Sequence, residues 1–248
     1  MSKLWRIYDE LIAGVPDNLV VEKAIIGKAW TAICSQAVGL AMTVPGPGEA
    51  PTERSLVGKK VKEVAKMIKS WDFQEAAVGL AAINSYLNTE KQVANLLAQN
   101  NFESQTAFDF ALEAIEGKKV AVIGHFPDTE KMAERAEVTI FERNPQTGDV
   151  PDTAEEYLLP DQDVVFITSV TLTNKTLPRL LQLAANARVF IVGPGTPISP
   201  ILFDHGISCI SGSFVVDPEK VFQSIISGDC AMRFIRNGSV KLVNITKQ

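Results

Sequence analysis

Hydrophobic positions follow two different patterns along the chain, and the change comes near residue 105. Before it, apolar residues recur at helical spacing in three segments. These predicted helices span 4–12, 57–68 and 73–87. The Val- and Ile-rich segment 19–35 predicts one or two strands, broken near Gly27. We therefore expect residues 1–105 to form a small α+β domain with an antiparallel sheet and a helical layer.

The ends of these elements carry local signals. Asp72 is a typical N-cap residue, and Glu75 follows three residues later as in a capping box. The Pro- and Gly-rich segment 43–54 predicts a loop. The polar segment 88–106, with a helical middle, is expected to connect the first domain to the next.

After residue 106, short apolar runs alternate with helical segments. The runs are rich in Val and Ile, as in strands buried on both faces. They span 120–123, 138–141, 164–168, 189–192 and 207–210, with helices predicted over 108–115, 129–136, 177–185 and 218–227. Asn237-Gly238 predicts either a hairpin turn or the end of a helix before a last strand. We expect residues 106–248 to form a Rossmann-like α/β domain, a mostly parallel sheet of five or six strands with helices on both faces.

Composition excludes several classes of protein. The formal charge of −5 and a pI near 5.2 disfavour nucleic-acid binding, because no basic excess is present to neutralise phosphates. Three widely spaced cysteines without a CxxC pair argue against a disulfide framework and a cysteine-based zinc site. No secretion signal or membrane-spanning run is found, so we expect a cytoplasmic protein with no membrane partner.

Candidate ligand-binding residues follow the predicted strands of the second domain. Open α/β sheets bind ligands at the carboxyl ends of their strands. Each end here supplies glycines, hydroxyls or ionisable groups, and we expect a cleft above them that the first domain closes near Asn84. The predicted ligand-binding residues are Asn84, Gly124, His125, Glu142, Thr168, Ser169, Asn174, Gly193, Gly195 and Thr196.

A dinucleotide is disfavoured as the ligand. Glu142 ends the second strand 18 residues after Gly124, close to the spacing of a ribose-binding acid. The first turn, however, reads GHFP and lacks the glycines that bring backbone close to a pyrophosphate. An ion pair of Glu142 with Arg143 or Lys119 is the alternative role. The loops 168–174 and 193–197 are candidates for an anion cradle, although the prolines of the second also suit a rigid wall.

His125 is the candidate general acid or base, and His125 and Glu142 together are candidate metal ligands. Their loops follow neighbouring strands, so the imidazole and the carboxylate are expected to converge. In the competing interpretation His125 only caps the following helix. Four aspartates between 149 and 163 offer oxygen ligands, but a solvated loop suits them better.

Several strings resemble one known family. They are GKAWTAI, VGLAAINSYLN, HFP, ERNPQTGDVPDTAEEYLLPDQDVVFITSVTLTNKTL, VGPGTPISPILFDHGI and SGSFVVD. Together they resemble the bacterial and archaeal family described as a "putative heavy-metal chelation" domain, over roughly residues 5–230. The resemblance implies an enolase-N-terminal-like domain packed on a Rossmann-like domain, with a cleft between them. Gly195 departs from the family pattern, in which a small residue such as Ser is expected.

Three functions compete at this stage. The first is binding of a small molecule or a metal chelate in the inter-domain cleft, with a metal ion or chelate as the candidate cofactor. The second is an enzyme that acts there on a nucleotide-like or acidic metabolite, with His125 as acid or base. The third is a scaffold without chemistry. The first is favoured, because no nucleophile–base pair is visible and Cys and His are too scarce for an all-protein soft-metal site. Neither the oligomeric state nor the ligand follows from the sequence.

Overall fold

A computed structural model of the chain describes residues 3–46, 48, 51–97, 105–127, 129–228 and 231–247. Within these ranges, none of the helices has the length and apolar character needed to cross a membrane. The chain forms two units, each built on its own sheet. The α/β class is confirmed, with an antiparallel sheet in the first unit and a mostly parallel one in the second.

The first unit packs helices on a three-stranded antiparallel sheet of order β1-β2-β3. Its elements are α1 (Arg6–Ala13), β1 (Lys23–Ile26), β2 (Trp30–Cys34), β3 (Val38–Met42), α2 (Glu53–Leu56), α3 (Val61–Ala65), α4 (Phe73–Leu87) and α5 (Glu90–Leu97). The two strands predicted within 19–35 are β1 and β2, and β3 is an addition that the sequence did not indicate. The predicted helix over 57–68 is shorter, because the chain enters it in an extended conformation at Lys60.

Helix α4 is the centre of the first unit, and its start follows the predicted cap. The Asp72 side chain accepts hydrogen bonds from the Gln74 and Glu75 amides. Glu75 completes the cap indirectly: Ser70 Oγ donates to its carboxylate and accepts from the Asp72 amide. Strand β3 lies directly against the helix at Gly39, where a Cβ would overlap backbone atoms of Ala81 and Ser85.

The second unit is a seven-stranded sheet of order β10-β9-β8-β7-β4-β5-β6, parallel except for β10. Its elements are α6 (Ala107–Ala111), β4 (Lys119–Ile123), α7 (Glu130–Ala133), β5 (Glu137–Glu142), β6 (Val150–Pro151), α8 (Glu155–Leu158), β7 (Val164–Thr168), α9 (Val170–Thr173), α10 (Leu177–Leu183), β8 (Arg188–Val192), β9 (Cys209–Val215), α11 (Pro218–Ile226), α12 (Ala231–Arg236) and β10 (Val240–Thr246). All five predicted strands are present.

The sheet has seven strands, one more than the five or six predicted, because β6 and β10 extend its two edges. The two-residue β6 pairs with the end of β5 and is too short to leave a periodic signal. Strand β10 pairs antiparallel with β9 along all seven of its residues. Asn237-Gly238 ends α12, with Gly238 at φ +70°, and is therefore a helix stop.

Two asparagines join the units. Asn84 Nδ2 donates to the carbonyls of Leu40 and Gly195, both at 2.8 Å. Asn88, one turn further along α4, donates to the carbonyls of Thr196 and Ser213 and accepts from the Ile198 amide at 2.9 Å. Both side chains are buried, and one hydrophobic cluster continues across the junction from α4 into the parallel strands.

Replacing Asn88 tests this junction. Asn88→Ala leaves one buried N–H and two buried carbonyls without partners, each at a cost of about 1 kcal/mol or more, so we expect a loss of about 3 kcal/mol in the free energy of unfolding. Asn95→Ala, at an exposed position of α5, is the control and should stay within about 0.5 kcal/mol. Urea unfolding measures both, and a loss below about 1 kcal/mol in Asn88→Ala would contradict the role given to it.

Candidate functional site

A cleft of about 630 Å³ opens at the carboxyl ends of the parallel strands. Its floor is formed by the ends of β4, β5, β7 and β8 and the loops that follow them. The first unit supplies the opposite wall with residues 29–30, at the start of β2, and 42–45, at the end of β3. Most of the lining is apolar, including Trp30, Met42 and Phe126.

Two glycines shape the floor. Gly124 after β4 and Gly193 after β8 have φ values of +97° and +130°, which side chains with a Cβ rarely adopt. A Cβ on Gly124 would lie 3.2 Å from Thr168 Cγ2, and one on Gly193 would lie 3.1 Å from Ser169 Oγ. Both strands therefore turn sharply at their ends and leave the Thr168-Ser169 segment between them on the cleft floor.

Seven of the ten predicted ligand-binding residues line this cleft. They are Gly124, His125, Glu142, Thr168, Ser169, Asn174 and Gly193. The other three, Asn84, Gly195 and Thr196, lie in the junction between the units and do not line it. The loop after Gly193 turns toward α4, and Gly195 packs so closely that a Cβ would lie 3.3 Å from Ala41 Cα. The first unit therefore closes the cleft with Trp30 and 42–45, and not near Asn84.

Glu142 holds the loops in place. Its Oε1 accepts from the amides of Arg143 and Asn144, and its Oε2 accepts from the His125 amide at 3.0 Å. The ion pair with Arg143 or Lys119, considered as the alternative role of Glu142, is absent among the described residues, since the Arg143 guanidinium lies 3.1 Å from Asp152 Oδ2 instead. A carboxylate that already accepts three N–H groups has little capacity left for ribose hydroxyls or a metal ion.

The expected imidazole–carboxylate pair of His125 and Glu142 is wrong in its geometry. Glu142 takes the backbone N–H of His125, because the tight turn at Gly124 directs that amide toward β5. The imidazole Nδ1 lies instead 3.3 Å from Asp149 Oδ2, and the Asp149 side chain is only 3 % exposed. His125 itself is exposed to the cleft. The acid that contacts the imidazole is therefore Asp149, which also accepts from the Gln146 amide.

The two loops considered as anion cradles have few free donors. The amide of Ser169 donates to the Val192 carbonyl and that of Gly193 to the Ser211 carbonyl. The Thr196 amide donates to the Gly193 carbonyl, and the Gly124 amide donates to Phe141. Because these N–H groups are used within the protein, the floor lacks the converging amides of a phosphate site.

Glu155 is a candidate residue that the sequence did not reveal. It lines the cleft from the first turn of α8 and makes no hydrogen bond or ion pair with any described residue. Burial and the neighbouring Asp152 raise the pKa of its carboxyl to about 7, with Glu156 adding to the rise and Arg143 opposing it. In the sequence, Glu155 lies among the aspartates for which a solvated loop is expected, and only the short strand β6, which places α8 beside the cleft, gives the residue its position.

Comparison with known proteins identifies the family. A family model for DUF364, described as "Putative heavy-metal chelation", matches residues 106–244, and one for DUF4213, with the same description, matches 8–87. An uncharacterised protein of Methanocaldococcus jannaschii is 31 % identical over 213 residues, which cover 80 % of this chain and 78 % of that protein. The chain belongs to the DUF364 family.

Solved structures of DUF364 proteins share the whole architecture. One from Desulfitobacterium hafniense, a protein of unknown function, is 35 % identical, with a TM-score of 0.89 over 98 % of this chain and 99 % of that one. Another, from Pyrococcus horikoshii, is 23 % identical, with a TM-score of 0.81 over 98 % and 99 % of the two chains, and shows the fold alone.

The family description implies a metal, so the donors of the chain can be tested against one. Among the described residues, no group of three or more His, Cys, Asp and Glu side chains is arranged to hold a metal ion. Cys209 is buried inside β9, where burial raises the pKa of its thiol to about 11, and thus disfavours the thiolate that a soft metal needs. Cys34 lies in β2 of the first unit, and Cys230 lies outside the described residues. A metal centre built only from the described side chains does not fit.

The role of Glu142 predicts a structural phenotype. Glu142→Gln replaces one acceptor oxygen by an NH₂ group, which cannot accept the N–H that Oε2 now receives. We expect a loss of about 1–2 kcal/mol in the free energy of unfolding, measured by urea denaturation. Glu137→Gln, at the exposed start of the same strand, should stay within about 0.5 kcal/mol. Equal effects of the two substitutions would contradict the loop-holding role.

Glu155 predicts a pH dependence of stability. The folded pKa of about 7 lies above the usual 4.5, so the folded state binds more protons between these values and loses stability as the pH rises through that window. Glu155→Gln removes this loss and should be more stable than the wild type at about pH 8, with the gain vanishing near about pH 5. Urea unfolding at the two pH values measures the change.

Glu156→Gln, on the same helix, should change the free energy of unfolding at about pH 8 in the opposite direction. Its pKa is lowered by Arg179, so its carboxylate stabilises the fold above the usual pKa, and the substitution should slightly reduce stability at about pH 8. A Glu155→Gln variant that is destabilised at this pH would contradict the assignment.

Proposed function

We propose that the protein binds a small organic molecule in the cleft between its two units, and that a metal ion enters only as a chelate whose organic part supplies the metal's ligands. The observation that carries this proposal is the cleft itself. Its volume of about 630 Å³ lies within the range of about 300–1,000 Å³ typical of small-molecule sites, and its lining combines apolar walls with a few polar groups. It also occupies the edge of the sheet at which open α/β folds bind ligands.

The chelate form reconciles the family description with the donors of the chain. Direct coordination would need several free donor side chains, whereas Glu142 and Asp152 are engaged with amides and with Arg143. An organic chelator needs from the protein only contact area and a few hydrogen bonds. The Ser169 hydroxyl makes no hydrogen bond with any described residue, and Asn174 lines the same floor. A scaffold is supported less well, because a scaffold gives no reason for an open cleft between the units.

A cleft-filling substitution tests the proposal. Met42 lines the cleft with 46 % of its surface exposed, so Met42→Trp should narrow the entrance without burying a larger side chain in the core. Val57→Trp, at a position that is 50 % exposed and outside the cleft lining, is the control. Each protein is purified identically and studied by native mass spectrometry together with metal analysis.

The wild type and Val57→Trp should carry an organic mass of a few hundred daltons that Met42→Trp lacks, and any metal should be lost with that mass. A metal ion retained without an organic mass would contradict the chelate form. Retention of the same mass by Met42→Trp would contradict the cleft as the binding site.

A further inference from the structure

The charged side chains of the cleft are not equivalent. Those that line it are His125, Glu142, Arg143, Asp152 and Glu155. The charge of Glu142 is compensated by three backbone N–H groups. Arg143 and Asp152 compensate each other through the 3.1 Å contact between Nε and Oδ2. These three side chains therefore already have polar partners within the protein.

Glu155 differs from the other acids, because no described group contacts it directly. It makes neither a hydrogen bond nor an ion pair with the described residues, and the nearest acidic groups, Asp152 and Glu156, have the same sign. Arg143 is near, but its guanidinium is held by Asp152. A partly buried carboxyl that has no partner among the described residues is a strong position for a cationic ligand group, since solvent screens it less than a surface acid.

The rest of the cleft offers little to an anion. The amides of Gly124, Ser169 and Gly193 donate within the protein. Among the lining residues that the structure describes, the arginine is paired, and the walls formed by Trp30, Met42 and Phe126 suit an apolar body. An acidic metabolite would therefore lose its hydration at this floor without gaining converging backbone N–H donors.

We infer that the cleft selects ligands that carry a positive charge beside an apolar body, with the Glu155 carboxylate as the counter-charge. This inference rests on the proposed function and adds the chemical class of ligand. It favours a cationic organic molecule, or a chelate with net positive charge, over phosphates and carboxylates.

Three planar probes of nearly equal shape and different charge test the inference. They are benzamidine, which is a cation at neutral pH, benzamide, which is neutral, and benzoate, which is an anion. Each is titrated into ¹⁵N-labelled protein while NMR follows the Trp30 indole and the amides of Ser169 and Asn174. We expect benzamidine to bind at least about tenfold more tightly than benzoate, equivalent to about 1.4 kcal/mol, with benzamide between them.

Two isosteric variants locate the source of the preference. In Glu155→Gln the ratio between benzamidine and benzoate should fall to about twofold or less, whereas Glu156→Gln on the same helix should keep it. Glu156 pairs with Arg179 and does not line the cleft. The urea unfolding described above checks that both variants are folded.

The outcomes separate the two proposals. Equal or tighter binding of benzoate in the cleft overturns the charge selection and leaves the small-molecule site standing. A preference for benzamidine that survives in Glu155→Gln overturns the role of Glu155. If none of the three probes shifts the cleft resonances, the proposed small-molecule site and the charge selection both fail.

Discussion

The arrangement of the molecule depends on two asparagines one helical turn apart. Asn84 and Asn88 lie at the end of α4, the central helix of the first unit, and their amides bond to backbone of the second unit. Backbone groups in a buried junction must be paired, and side-chain amides can donate and accept at once. The loop after β8 is thereby fixed against the first unit. Gly39, which lets β3 lie directly on α4, sets the distance from that helix to the cleft wall formed by the end of β3.

The cleft is a consequence of that junction. The first unit is held above the carboxyl ends of the parallel strands by the junction around Gly195 and Thr196, and its sheet also packs against α11 and α12, where Trp30 contacts Phe234. Between these contacts, the strand ends at Gly124 and Gly193 turn away and leave an open space with apolar walls. Its polar groups are mostly satisfied within the protein, and Glu155 is the acid without a partner among the described residues. This imbalance is what gives the cleft a preference in ligand charge.

The sequence was informative where the physical signal is local. Val- and Ile-rich runs revealed the five central strands, and Asp72 marked the start of α4. It was uninformative where the decisive contacts join distant parts of the chain. Asn84 was expected to face a ligand, whereas its amide bonds to the Gly195 carbonyl, more than 100 residues away. A contact of this kind leaves no periodic signal in the sequence. The fold does bring Glu142 next to His125, but the contact is made by the His125 backbone N–H and not by its imidazole. Sequence spacing does not reveal which of these groups faces the carboxylate. The position of Glu155 beside the cleft depends on the two-residue strand β6, which is too short to be recognised from the sequence.

This arrangement requires the two units to unfold together, as one body around a preformed cleft. Native-state hydrogen exchange tests it most directly, because it measures the opening free energy of individual amides. Three groups of amides are decisive: those in the middle of α4, those of β3 and that of Ile198, which bonds to Asn88. The account predicts that all three open with the same free energy as the strands β7 and β8, in one global unfolding event. Exchange of α4 and β3 at a clearly lower free energy, while the parallel sheet stays protected, would contradict it.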